Sequence, residues 1–204
     1  MPRFPNYNRP MLSSTESPSG ACRRSWQSQA CTTATREASP IRRIDYVALA
    51  TTDRRLEYCI ELTASNMAPY LARRGQRFDA VRWRNVAPRC RFHLIVCALA
   101  ADAADTSRVA GFISVRDEPT RPAALHIGDI QLEASLRRRG IGTDALTHAA
   151  RLARSLGRSE LTLHVFRENP AFHLYARQGF EHIATDVING RYTMCRTLPP
   201  PAPA

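Results

Sequence analysis

The stretch that most narrows what this chain can fold into is Arg137-Arg138-Arg139-Gly140-Ile141-Gly142-Thr143. Ile141, Ala145, Ala149, Leu152 and Leu156 then recur at spacings of four, four, three and four, which predicts an amphipathic helix opening at the glycines. Two glycines one residue apart let a ligand approach the backbone closely. The first amides of the helix have no partner inside it, and the helix dipole places partial positive charge there. With three arginines alongside, the site suits a pyrophosphate. The plainer alternative is a helix start with a solvated basic rim. A dinucleotide fingerprint would have a third glycine where Ala145 stands, and a phosphate-binding P-loop needs a lysine, which the chain does not contain.

The missing lysine constrains chemistry as well. All 29 basic residues are arginine, so Schiff-base formation and catalysis by lysine are excluded. The formal charge of +11 is spread along the chain, with no interleaving of aromatic and basic residues of the kind that stacks bases. This favours a general anionic ligand over a specific nucleic-acid groove. The six cysteines show neither Cys-x-x-Cys nor Cys/His ligand spacing, so free thiols in a reducing compartment, and no metal, are expected. No apolar run approaches the length of a membrane span, and the N-terminus lacks the apolar core of a secretory signal. The expected location is cytoplasmic, with no membrane association.

Residues 1–42 are poor in aliphatic side chains and rich in Ser, Thr, Pro and Arg, which predicts a disordered basic tail. Its composition also suits a transit peptide, and Met11 is an alternative start. One folded domain is expected over 43–198, with a Pro-rich end at 199–204. Strands are predicted at 44–50, 92–99, 109–115, 125–132 and 161–165. Thr51, Thr52 or Asp53 would cap a first helix carrying Leu56 and Ile60, and Asn66 a second one ending at Gly75. The segment 81–89 has no clear pattern. Asn169 and Pro170 open a short helix that stops at Gly179, and 181–188 pairs with 191–198 through a two-residue Asn189-Gly190 turn. The helix between 125–132 and 161–165 makes those two strands parallel.

Strand, Arg-x-x-Gly-x-Gly, helix, strand, Asn, then a short helix with Leu-Tyr and Gly-Phe: this order resembles the GCN5-related N-acetyltransferases. The matching residues are Leu132, Arg137, Gly140 and Gly142, followed by Asn169, Ala171, Leu174, Tyr175, Gly179 and Phe180. Ala134 departs from the proline common there. The resemblance implies a single mixed α/β domain, with a mixed sheet of about six to seven strands, splayed central parallel strands and flanking helices. It implies acetyl-CoA as acyl donor. Arg137, Arg138, Arg139, Gly140, Ile141, Gly142 and Thr143 would cradle its pyrophosphate, Ile130, Gln131 and Leu132 would pair with pantetheine, and Asn169 would also contact the coenzyme.

Acetyl transfer to an amine needs a proton acceptor for the amine and a donor for the departing thiolate. Tyr175 stands where the family's general acid lies, and a phenol with a pKa of about 10 can fill that role. Its alternative is an aromatic packing residue. His164 is the first choice of base, with His126 a second, Asp129 and Glu133 more remote, and ordered water an open alternative. The expected function is N-acetyl transfer by direct attack, to a small-molecule amine. Its rivals are a peptide acceptor or a non-catalytic acyl-CoA-binding protein, in either case as monomer or homodimer.

Overall fold

The computed structural model describes residues 40–100 and 106–200; the predicted tail, most of the polar loop at 101–107 and the Pro-rich end lie largely outside these residues. The domain is a seven-stranded sheet in the order β1-β2-β3-β4-β5-β7-β6. The strands are β1 (Ile41–Leu49), β2 (Arg91–Leu99), β3 (Arg108–Asp117), β4 (Ala124–Leu132), β5 (Glu160–Phe166), β6 (Glu181–Asp186) and β7 (Arg191–Thr197). The helices are α1 (Leu56–Ala72), α2 (Ala80–Val86), α3 (Ile141–Ser155) and α4 (Ala171–Arg177). Neighbouring strands are antiparallel except β4 and β5, whose parallel pairing follows from the crossover through α3.

Each face of the sheet has its own core. Leu125, Ile127, Leu161, Leu163 and Val165 point to one side and pack on Ile141, Ala145, Leu146 and Ala149 of α3. Alanines at 145, 149 and 153, all fully buried, let the helix lie close to the strands. Leu146 is fully buried too, a contribution of about 1.5–3 kcal/mol over an exposed leucine. On the other side Phe92, Leu94 and Phe112 pack on Leu49, Leu56, Cys59 and Leu62, so α1 covers the first half of the sheet.

Three local expectations are corrected. Residues 56–72 form one helix, not two: Asn66 lies inside α1, and Pro69 is tolerated there. Proline removes one hydrogen bond, but the buried face of Leu56, Cys59, Ile60, Leu62 and Thr63 holds the helix on the sheet. No side chain caps its start; Asp53 instead accepts from the Arg55 amide and guanidinium. Residues 80–86, which showed no pattern, form α2, with Asp79 Oδ1 accepting the Arg82 amide at 2.8 Å. The last hairpin turns through four residues, not two. Asp186 pairs with Arg191, and its carboxylate accepts from the Asn189 backbone and side chain, closing the strands before Val187.

Candidate active site

Strands β4 and β5 pair only from Ala124–Glu160 to Ile127–Leu163. Beyond that point a bulge turns β4 aside. Ser114 of β3 faces Asp129 and Val115 faces Ile127, leaving Gly128 as the extra residue. A Cβ there would stand 2.9 Å from Ser114 Oγ, so glycine is what permits the close approach. The parallel strands therefore part, and the gap between Gly128–Leu132 and His164–Phe166 is the centre of the site.

The Gly-rich turn stands at the end of β4. Arg137 Nε donates to Leu132 O at 3.2 Å and its Nη2 to Asn66 Oδ1, while Asn66 Nδ2 donates to Gln131 Oε1 at 3.0 Å and to Leu132 O at 3.2 Å. The motif arginine thus fastens the turn to α1 and β4. Arg138 and Gly140 both have left-handed backbone, at φ 58° and 82°. Such conformation costs an arginine about 1 kcal/mol or more. Gly140 is the N-cap of α3, and the first loop carbonyl to accept from the helix is its own, from Asp144 N at 3.1 Å. The amides of Ile141, Gly142 and Thr143 leave the helix end outward. These groups fit a pyrophosphate.

Ile130 and Leu132 turn their backbone toward the gap. Gln131 does not: Glu133 N donates to Ala110 O of the β3 side, and alternate residues face the same way, so the Gln131 backbone belongs to the β3–β4 ladder. Its side chain is buried under α1. Asn169 is spent locally, its Oδ1 accepting the Ala171 amide at 2.9 Å to start α4.

Tyr175, on α4, packs against the α3-side core, with its ring 5.9 Å from that of Phe180. Its hydroxyl has no hydrogen-bond partner among the described residues, and burial, aided by the charge of Asp129, pushes its pKa up to about 12. It is a protonated phenol at neutral pH.

His126 and His164 face the opposite side, since they alternate with the α3-side residues of their strands. They line an open cleft of about 390 Å³ with Glu118, Thr120, Arg121, Thr162, Ile183 and Thr193. His126 is buried; its Nδ1 lies 3.0 Å from Thr162 Oγ1 and 3.5 Å from Glu118, and its ring is 4.8 Å from that of His164. Burial, then the charges of Arg116, His164 and Arg191, lower its pKa to about 3. His164 stands exposed at the mouth of the gap, and partial desolvation of its ring, then the charges of Arg191 and Arg116, lowers its pKa too. Both imidazoles are neutral at pH 7, and His126 is the weaker base.

Asp129 carries more weight here than its place in the sequence suggested. It follows the bulge, accepts from Ser114 Oγ at 3.2 Å and Gln131 Nε2 at 3.3 Å, and burial raises its pKa. A Gly-Asp pair inside the apolar run 125–132 was the available signal. Glu133 accepts from Tyr58 Oη at 2.9 Å. Among the described residues no group of three His, Cys, Asp or Glu side chains is placed to hold a metal ion, and no helix is long and apolar enough to cross a membrane. The four described cysteines, Cys59, Cys90, Cys97 and Cys195, are free thiols.

The model of the acetyltransferase (GNAT) family matches residues 60–180, more than half of the chain. The chain belongs to the GNAT family. It is thus an acyltransferase by family, and its mixed sheet with splayed central strands is the family's fold. Solved structures similar to this acetyltransferase include the PaiA N-acetyltransferase of Thermoplasma acidophilum, in complex with coenzyme A, at 19% identity over 76% of this chain and 99% of that one, with a TM-score of 0.55. The IAA acetyltransferase of Bacillus cereus is 16% identical over 76% of this chain and all of its own (100%), with a TM-score of 0.57. A domain from Methanocaldococcus jannaschii reaches a TM-score of 0.60 at 15% identity, over 76% of this chain and 100% of that one. At these identities the likeness is one of fold. No curated protein sequence matches the chain.

Proposed function

We propose that the protein transfers the acetyl group of acetyl-CoA to the amine of a small molecule by direct attack. The observation that carries this reading is the gap between β4 and β5, which has the Gly-rich turn and Tyr175 on one face of the sheet and the His164 cleft on the other. Acetyl-CoA supplies an activated thioester. Arg138 to Thr143 hold its pyrophosphate by backbone amides, with the helix dipole behind them. Ile130 and Leu132 present backbone groups to the pantetheine arm, although Leu132 O is already engaged by Asn66 and Arg137.

In the transfer the amine nitrogen forms a C–N bond as the C–S bond breaks. His164, neutral at pH 7, accepts the amine's proton, and Tyr175 donates one to the leaving sulfur. Acid and base stand on opposite faces of the sheet, with the reacting bond between them. Asp129 is the alternative proton acceptor, reached from under α1. A cleft volume of about 390 Å³ suits a small acceptor, within the range of small-ligand pockets. A long acidic groove, which a basic peptide would favour, is not among the features of this cleft. Partner and compartment are read the same way, as an amine metabolite and the cytoplasm.

Thiol release from acetyl-CoA across a broad amine panel tests the reading. Amine-dependent release is expected; acetyl-CoA binding without any release would make the chain a non-catalytic acyl-CoA binder.

A further inference from the structure

Two arginines at the cleft have carboxylate partners: Arg121 with Glu160, and Arg191 with Asp186. Arg116 has no ion pair among the described residues. It lies on β3 directly across from His126, and residues opposed in an antiparallel pair share a face, so Arg116 stands on the cleft side of the sheet. It is only partly exposed. A half-buried cation without an ion-pair partner is costly, and an anionic ligand lowers that cost. Its charge reaches both cleft histidines, as does that of Arg191.

The remaining walls define the size and polarity of what sits beside it. Thr120, Thr162 and Thr193 offer hydroxyls, Ile183 is the one aliphatic side chain among the lining residues, and none of them carries an aromatic carbocycle such as Phe, Tyr or Trp. Glu118, 3.5 Å from His126 Nδ1, provides a carboxylate at the same wall. The cleft therefore offers a carboxylate and hydroxyls, and Arg116, opposite His126, adds a cation on the same face of the sheet. Building on the acetyl-transfer reading, we infer that the acceptor is a small polar amine that also carries a carboxylate, an amino acid or amino-carboxylate. Its acid group pairs with Arg116, and its ammonium is held near Glu118 before it gives up a proton toward His164. Arg–carboxylate pairing is bidentate and directional, so it fixes which end of the acceptor faces the gap.

The test measures thiol release with acetyl-CoA and a series of α-, β- and γ-amino acids, each beside its own carboxamide. Loss of a charged hydrogen bond corresponds to about tenfold or more in kcat/KM, so at least one free acid should exceed its carboxamide by that factor. Arg116→Gln, assayed at pH 8 where His164 is neutral with or without that charge, should erase that preference by raising KM for the acid far more than for the carboxamide, and leave acetyl-CoA affinity by calorimetry unchanged. Arg116→Lys should recover part of the preference. Equal rates for acid and amide, an equal effect of Arg116→Gln on both, or turnover confined to peptide N-termini would overturn the inference. Failure to bind acetyl-CoA would instead sink the acetyl-transfer reading. A preparation that binds acetyl-CoA but acetylates no carboxylated amine sinks only the acceptor class.

Discussion

As proposed acid and base, Tyr175 and His164 have opposite burdens, and their surroundings suit both. The phenol must be protonated when the thiolate leaves, and burial raises its pKa to about 12. The imidazole must be unprotonated when the amine attacks, and burial with two arginines lowers its pKa. Tyr175→Phe is expected to reduce kcat by about 100-fold, the lower end of the general-acid range, with acetyl-CoA affinity unchanged by calorimetry. Unchanged turnover would return Tyr175 to a packing role. The pH profile follows from the sign of the His164 shift. A base whose pKa is below the usual value of about 6.5 stays deprotonated down to lower pH, so kcat/KM should rise through an acidic pKa and be level by pH 7. That acidic limb should vanish in His164→Ala. If it persists, Asp129 holds the role.

At the scale of elements, α3 does two jobs with one sequence. Its N-terminal end is the proposed cradle, and its alanine face sets how near that end lies to β4. Gly142 sits where an added Cβ would be 2.9 Å from Leu174 Cδ2 of α4, a contact that a flexible side-chain tip can relieve. Gly142→Glu should therefore fold, and should weaken acetyl-CoA binding at least about tenfold by placing negative charge in the anion site. Undiminished affinity in calorimetry would refute the cradle. Ala149, fully buried between α3 and the sheet, has no room for growth. Ala149→Leu should cost about 1–3 kcal/mol in chemical denaturation. The clamp from Asn66 through Arg137 to Leu132 ties α1 to the Gly-rich turn, so helix and turn are held together.

For the whole molecule, histidines buried neutral give stability a direction with pH. His148 stacks on Tyr46 with ring centroids 3.7 Å apart, and Tyr46 Oη donates to Asp144 Oδ1 at 2.6 Å. His93 meets His148 edge-on at 4.9 Å, and His93 Nδ1 and His148 Nε2 are buried without partners. Burial lowers the pKa of His148 to about 4 and that of His126 to about 3. Below about pH 6.5 the unfolded chain takes up protons that the folded one refuses, so stability should fall as pH drops from there toward 3. Thermal unfolding from pH 7.5 to 4.5 should show a falling Tm, and His148→Gln should flatten the slope. A Tm independent of pH over that range would contradict the burial of these rings.

What was legible in the sequence is what short-range physics dictates. Periodicity marked α3 and the central strands, left-handed glycines marked the turn before α3 and the end of α4, and two spaced motifs marked the family. Those signals are carried by contiguous residues. The rest required residues far apart to meet. Asn66 reads as a helix cap because Asn favours caps, yet the buried face of α1 carries the helix past it, and its amide is used on Leu132 instead. Asp129 reads as one polar residue in an apolar run; only the bulge at Gly128 and the cover of α1 and α2 make it a half-buried carboxylate. The placement of β7 between β5 and β6, which puts Thr193 opposite His164 and Arg191 near it, is a matter of topology that no local pattern encodes. The Gly-rich turn was fixed by sequence alone; what faces it across the gap was decided by the sheet, because strand order and register set which side chains share a wall.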